Sequence, residues 1–174
     1  MTFPARSLRT LSIAATLVAV PLVIMGAASA QKSEPRSFVY GNITIPGKKL
    51  QKVELVRPRK VRRPSARVLP DGDFYFEDVE PGEWFLMRFM AGGEWYNVMS
   101  RDVEQNLTFR VIAKPGAVHY LGSWAVTGEK DNRFKPDEFS MRAVKGRQRP
   151  VATRLATALK DSPWLPKLRR SLAR

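Results

Sequence analysis

Along residues 37–46, SFVYGNITIP, apolar and polar positions alternate. Phe38, Tyr40, Ile43 and Ile45 are apolar, and Gly41 permits a bend or bulge where the phase changes. A PGK turn at 46–48 leads into LQKVELV, 50–56, with Val53 and Leu55 on the phase opposite Glu54. Residues 57–67, RPRKVRRPSAR, contain two prolines, which cannot feed a central ladder, so this stretch reads as an edge or a loop. RVLPDGDFYFEDV reads as a hairpin. Pro70 presets φ and Gly72 accepts a positive φ, with Phe74 and Phe76 on one side. Pro81-Gly82, Gly92-Gly93 and Pro115-Gly116 mark further turns. NLTFRVIA, 106–113, places Leu107, Phe109 and Val111 inward, and AVHYLGSWAV places Val118, Tyr120, Trp124 and Val126 on one face. Short strands with turns at this spacing predict a mainly β fold, an antiparallel sandwich of seven or eight strands.

The period changes near the C-terminus. Residues 129–150 read as an irregular connection with room for one short strand at 138–144. From 151 the spacing becomes helical, with Val151, Leu155 and Leu159 at i, i+4 and i+8. Ser162 is expected to cap a second short helix with Pro163 at its first position, and Trp164, Leu165, Leu168 and Leu172 form its apolar stripe. Strand 84–90 is apolar on both phases, Phe85, Met87 and Phe89 on one and Trp84, Leu86 and Met90 on the other, and so needs a cover. The helical stripe is the expected cover, docked within the same chain.

The first thirty residues follow a different logic. Arg6 and Arg9 precede an uncharged apolar run, and Ala28-Ser29-Ala30 supplies small residues at a cleavage position. This is the order of a secretory signal peptide, with a retained anchor as the rival reading. The expected organisation is signal 1–30, sandwich 31–128, connection 129–150 and helices 151–174, with the mature chain starting at Gln31. The chain has no cysteine, so an exported protein of this kind relies on its apolar core, and lipid attachment at the cleavage site is excluded. The expected location is the periplasm or the exterior.

Charge sharpens the picture. Thirty lysines and arginines against sixteen carboxylates give a net charge of +14. The charge is uneven: an acidic middle lies between a basic stretch at 31–70 and another at 126–174. Such a pattern suits an anionic partner of the envelope, whether acidic protein, anionic lipid or glycan. Nucleic acid is disfavoured, because the signal directs the chain out of the cytoplasm.

The stretch LPDGDFYFEDVEPGEWFL, with its Asp-Gly turn, spaced aromatics and Val-x-Pro-Gly-x-aromatic-x-Leu, resembles the carboxypeptidase regulatory-like, or transthyretin-like (prealbumin-like), β-sandwich domain of bacterial envelope proteins. VYGNITIPGKKLQKVELVRP is similar to the opening strands of that fold, and AKPGAVHYLGSWAV to a closing hairpin. The resemblance spans roughly 37–127 and implies a fold that hosts carriers, adhesin modules and accessory domains, rarely catalysis. The basic connection 57–67 and the C-terminal helices lie outside that pattern.

Six carboxylates, Asp71, Asp73, Glu77, Asp78, Glu80 and Glu83, crowd residues 71–83. A calcium loop needs oxygen ligands converging on one point. The turn reading accounts for every residue, and on that reading Asp71→Asn with Asp73→Asn should change stability little. His119 is the only histidine, is placed outside by alternation, and has no nucleophile elbow around Ser123. One histidine and no cysteine give zinc no ligand set. The asparagines of NIT (42–44) and NLT (106–108) match the glycosylation pattern, which is read here as chance. The candidate contact is therefore the basic run, Arg57, Arg59, Lys60, Arg62, Arg63 and Arg67, whose guanidinium forks suit phosphate or carboxylate.

The sequence thus predicts a non-catalytic exported binding or accessory protein without metal or cofactor, meeting an anionic partner through its basic loop. The alternative is a peripheral membrane-surface protein using that loop and the amphipathic C-terminal helix on anionic lipid.

Overall fold

Nine strands and two helices follow one another in a computed structural model that describes residues 35–58, 63–99, 107–128 and 139–173. The expected signal 1–30 and the basic residues Arg59, Lys60 and Arg62 lie outside the described residues. The strands are β1 (Ser37–Thr44), β2 (Leu50–Val56), β3 (Arg67–Val68), β4 (Asp73–Val79), β5 (Gly82–Ala91), β6 (Glu94–Asn97), β7 (Arg110–Ala113), β8 (Val118–Gly128) and β9 (Phe139–Ala143). The helices are α1 (Gln148–Ala158) and α2 (Leu165–Leu172).

One sheet runs β3-β4-β1-β8-β9. The other runs β2-β5-β6, and β7 continues along the edge of β5 that β6 occupies. The chain passes between sheets at Glu80-Pro81, so the acidic turn is a crossover from β4 to β5 rather than a hairpin loop. Pairing is not antiparallel throughout: β1 and β8 run parallel, with Phe38 opposite Val118 and Thr44 opposite Ala125. Parallel neighbours need a long connection, and here every strand from β2 to β7 lies between them.

Apolar side chains from the two sheets, among them Val39, Phe74, Phe76, Leu55, Trp84, Phe89 and Trp124, form one buried cluster. The opposite face of the larger sheet is also covered. Phe38, Tyr40 and Tyr75 are buried there against Val151, Leu155, Leu159, Trp164 and Leu168. Phe38 stacks on Tyr75 at 5.5 Å and lies 5.8 Å from Trp164. The helical stripe thus covers β1 and β4, not strand 84–90.

The double apolar phase of 84–90 has another cause. The pairing of β5 with β2 slips between Glu54↔Arg88 and Leu55↔Leu86, so Met87 is an extra residue. This bulge reverses the phase. Trp84 and Leu86 are buried before it, and Phe89 and Ala91 after it. A similar slip in β8 leaves Leu121 between Tyr40↔Tyr120 and Gly41↔Gly122. Val118 and Tyr120 therefore face the helices, whereas Leu121, Trp124 and Val126 face the core, and the four expected on one face are split. Gly122 is required at the slip. Its φ is +145°, and a Cβ would stand 2.5 Å from the Trp124 ring.

Three further boundaries differ from expectation. Leu107 is exposed rather than inward. The short strand expected at 138–144 is present as β9, which pairs with β8 from Trp124↔Ala143 to Gly128↔Phe139, but α1 begins at Gln148 rather than 151. The second helix starts at Leu165 behind Trp164, with Pro166 in its first turn. Ser162 instead donates to the Glu77 carboxylate at 3.0 Å and accepts the Trp164 N–H at 3.3 Å. Among the described residues, no helix is long and apolar enough to cross a membrane.

Candidate functional site

The basic run is partly consumed by internal contacts. Arg57 turns toward the acidic crossover, 3.7 Å from the Glu80 carboxylate that Arg36 meets at 3.0 Å. Its guanidinium lies over Gly82, where a Cβ would approach it to 2.8 Å. Arg67 lies opposite Tyr75 in the pairing of β3 with β4, and the Tyr75 hydroxyl raises the guanidinium above its ordinary value. Arg63 is exposed. From there the chain runs back along β2: Leu55 N–H donates to the Pro64 carbonyl and Ala66 N–H to that of Val53. Residues 63–67 bring the chain along β2 to β3, which pairs with β4.

The acidic stretch divides into separate structural tasks. Asp71 is exposed at the turn, and Gly72, at φ +76°, faces the Ile43 carbonyl. Asp78 has φ +60° and sits where the pairing of β4 with β1 slips between Ser37 and Val39. Aspartate is among the few side chains that tolerate this region. Glu83 pairs with Arg110 at 3.0 Å. Among the described residues, no group of three or more acidic or histidine side chains is placed to hold a metal.

Asp73 departs most from the turn reading. It is fully buried and accepts two hydrogen bonds from Arg154 of α1, at 2.7 and 2.8 Å, and one from Asn42 Nδ2 at 2.8 Å. Arg154 is raised above its ordinary value chiefly by these bonds. Burial pushes the Tyr40 hydroxyl up, and the neighbouring Gln148 of α1 and Ser171 of α2 offset this in part. Lys167 donates to the Gly116 carbonyl at 2.8 Å. Together with Ser162–Glu77, these polar contacts fix both helices on the sheet.

His119 and Ser123 do not form a catalytic pair. Ser123 Oγ is buried and accepts from the Tyr120 hydroxyl at 2.6 Å. His119 Nε2 accepts the Lys114 N–H at 2.8 Å. Burial lowers the imidazole below its ordinary value, and the backbone contact at Lys114 opposes this in part.

Sequence reasoning passed over the segment from Arg142 to Arg149. Arg142, Lys145, Arg147 and Arg149 are exposed, and none forms an ion pair among the described residues. No carboxylate occurs between Phe139 and Lys160. A cleft of about 330 Å³ opens beside this segment, lined by residues of β8 together with Ala143, Val144, Lys145, Gly146 and Gln148. The cations fall between a strand and a helix, at about every second or third position, so they form no run that stands out in the chain. In a second cavity of about 350 Å³, Glu80 is engaged by Arg36 and Glu77 by Ser162, while Asp78 is exposed.

No family model matches the chain. No curated protein matches it either. Among solved structures it is similar to a DUF3823 family protein from Parabacteroides merdae, with 19% identity over 56% of this chain and a TM-score of 0.33. The match spans about half of that protein, 51% of its length. A likeness at this score carries no functional argument, and the chain's own mainly β, two-sheet architecture stands on its strand pairing.

Proposed function

We propose that this protein is an exported, non-catalytic binding or accessory module of the bacterial envelope, of the transthyretin-like, carboxypeptidase regulatory-like sandwich kind, and that it meets an anionic partner. The observation that carries the reading is the set of exposed cations at 142–149 with no acidic partner among the described residues. Arg36 and Arg57 are engaged by Glu80, Arg88 by Glu54, Arg110 by Glu83 and Arg154 by Asp73, whereas these four cations lie close together in the chain with no such partner. Cations left unpaired on one segment raise the local concentration of an anion. Arg63, exposed in the loop 57–67 singled out by sequence, is a second candidate contact.

The membrane-surface alternative requires an apolar helix face free to enter the bilayer. Leu168 is fully buried and Trp164 nearly so, which leaves α2 with its basic side, Arg169 and Arg170, outward. That arrangement favours electrostatic contact over insertion. The test is binding of the mature chain to a soluble acidic polysaccharide, polygalacturonate, and to phosphatidylglycerol vesicles, over a salt series. Binding that weakens steeply with salt and with Arg142→Gln/Arg147→Gln/Arg149→Gln is expected. Binding indifferent to salt and to the triple variant would refute the reading.

A further inference from the structure

The cleft beside residues 143–148 has two kinds of wall. Leu121, Trp124, Ala143 and Val144 contribute apolar lining, and Thr108, Tyr120, Ser123, Lys145 and Gln148 contribute polar atoms. Its volume, about 330 Å³, falls at the small end of the range for organic ligands. The Tyr120 hydroxyl donates to Ser123 Oγ at 2.6 Å, so the serine's own hydrogen is directed away from that bond and is available to an acceptor. Ser123 is 4% exposed and so holds this donor in a fixed place. Lys145, exposed at the lip, has no carboxylate partner among the described residues.

We propose that the cleft binds a small amphiphilic organic anion: a carboxylate or phosphate monoester carrying a short apolar body. Lys145 and the Ser123 hydroxyl meet the head group, and Leu121, Trp124 and Val144 meet the body. A bare inorganic anion would leave the apolar walls in water, and a neutral ligand would leave the lysine unanswered. This inference rests on the anionic-partner reading above and names the chemistry that one point of that surface accepts.

The experiment titrates the mature chain with hexanoate and hexyl phosphate, following the Trp124 indole N–H by NMR, with hexanol and inorganic phosphate as controls. Saturable one-site binding of both amphiphiles is expected, with each control at least tenfold weaker. Lys145→Gln should weaken binding about tenfold, the worth of a hydrogen bond to a charged group. Ala143→Phe, at an exposed strand position, fills the cleft and should abolish hexanoate binding while polygalacturonate still binds. Vesicle binding lost in the same variant would assign the head group to a lipid, and vesicle binding unaffected by it would assign it to a free anion; both outcomes support the cleft. Hexanoate binding equal in wild type and Ala143→Phe would overturn the cleft, as would polygalacturonate binding with no saturable amphiphile binding; in either case the broader reading survives. Absence of every anion interaction would overturn both.

Discussion

Replacing Arg154 by methionine tests how much the buried ion pair with Asp73 adds to the other contacts that hold the helices to the sheet. Methionine keeps much of the aliphatic stem but removes both hydrogen bonds to Asp73, at 2.7 and 2.8 Å. The Asp73 side chain is 1% exposed, so its carboxylate would be left inside the protein with only the Asn42 amide, at 2.8 Å, as a side-chain partner. Removing one member of a buried pair costs about 3–5 kcal/mol. The Arg154 side chain is 35% exposed, so water can partly replace it, which places the expected loss near the lower bound, about 3 kcal/mol. For a unit of this size that corresponds to a fall of roughly 10 °C in Tm.

The assay is a double-mutant cycle of Arg154→Met, Asp73→Asn and the double variant, by urea and thermal unfolding. Asp73→Asn alone should also destabilise, contrary to the expectation from sequence, because an amide cannot accept both guanidinium bonds. The double variant should lose less than the sum of the singles, by about 1–3 kcal/mol, the coupling found for residues in direct contact. Additive losses, or a Tm change below about 2 °C for Arg154→Met, would refute the reasoning and leave helix docking to apolar packing with the Ser162–Glu77 and Lys167–Gly116 contacts.

Truncation after Gly146 should leave Phe38, Tyr40 and Tyr75 uncovered, because their partners Val151, Leu155 and Leu168 are removed. At about 1.5–3 kcal/mol for each large side chain, the truncated chain is expected to unfold or aggregate, and a soluble fragment of unchanged Tm would contradict the packing. Gly72→Val should be severely destabilising by thermal unfolding, since its Cβ would meet the Ile43 carbonyl oxygen at 2.2 Å with φ at +76°; Gly146→Asn, with nothing within 4 Å, should cost far less. Stability should fall as pH drops from about 7 toward 5. Burial depresses the folded-state value of His119, so the unfolded chain binds the extra proton over that range. His119→Gln should flatten that part of the profile, and an unchanged slope would assign it to other groups. N-terminal sequencing of the exported chain is expected to begin at Gln31, and a retained Met1 on membrane-bound protein would favour the anchor instead.

The parts of the fold legible in the chain are those written locally. The strand LQKVELV, the turn at Gly72 and the helical spacing of Val151 and Leu155 each depend on residues within a few positions of one another. Gly41 also gave a correct signal: Phe38 and Tyr40 before it face the helices, and Ile43 after it faces the core. What escaped was set by partners far away. The bulge at Met87 is defined only against Glu54 and Leu55, and without it β5 looks like a strand buried on both phases. Asp73 reads as turn punctuation until Arg154, 81 residues later, is placed beside it.

The same distinction governs the candidate site. The run 57–67 is conspicuous because its charges are contiguous, yet contiguity says nothing about whether each charge is answered in space. Arg57 finds Glu80 across the crossover, and Arg67 finds Tyr75 on the neighbouring strand. The cations at 142–149 are spread over the end of a strand, a turn and the start of a helix, with apolar residues between them. Four carboxylates of the acidic middle, Asp73, Glu80, Glu83 and Glu94, are engaged by Arg154, by Arg36 and Arg57, by Arg110 and by Lys48, and not by these cations. A protein that neutralises most of its acidic groups internally presents its surplus positive charge where no acid is near. Of these cations Lys145 lines the cleft proposed above as the seat of an organic anion.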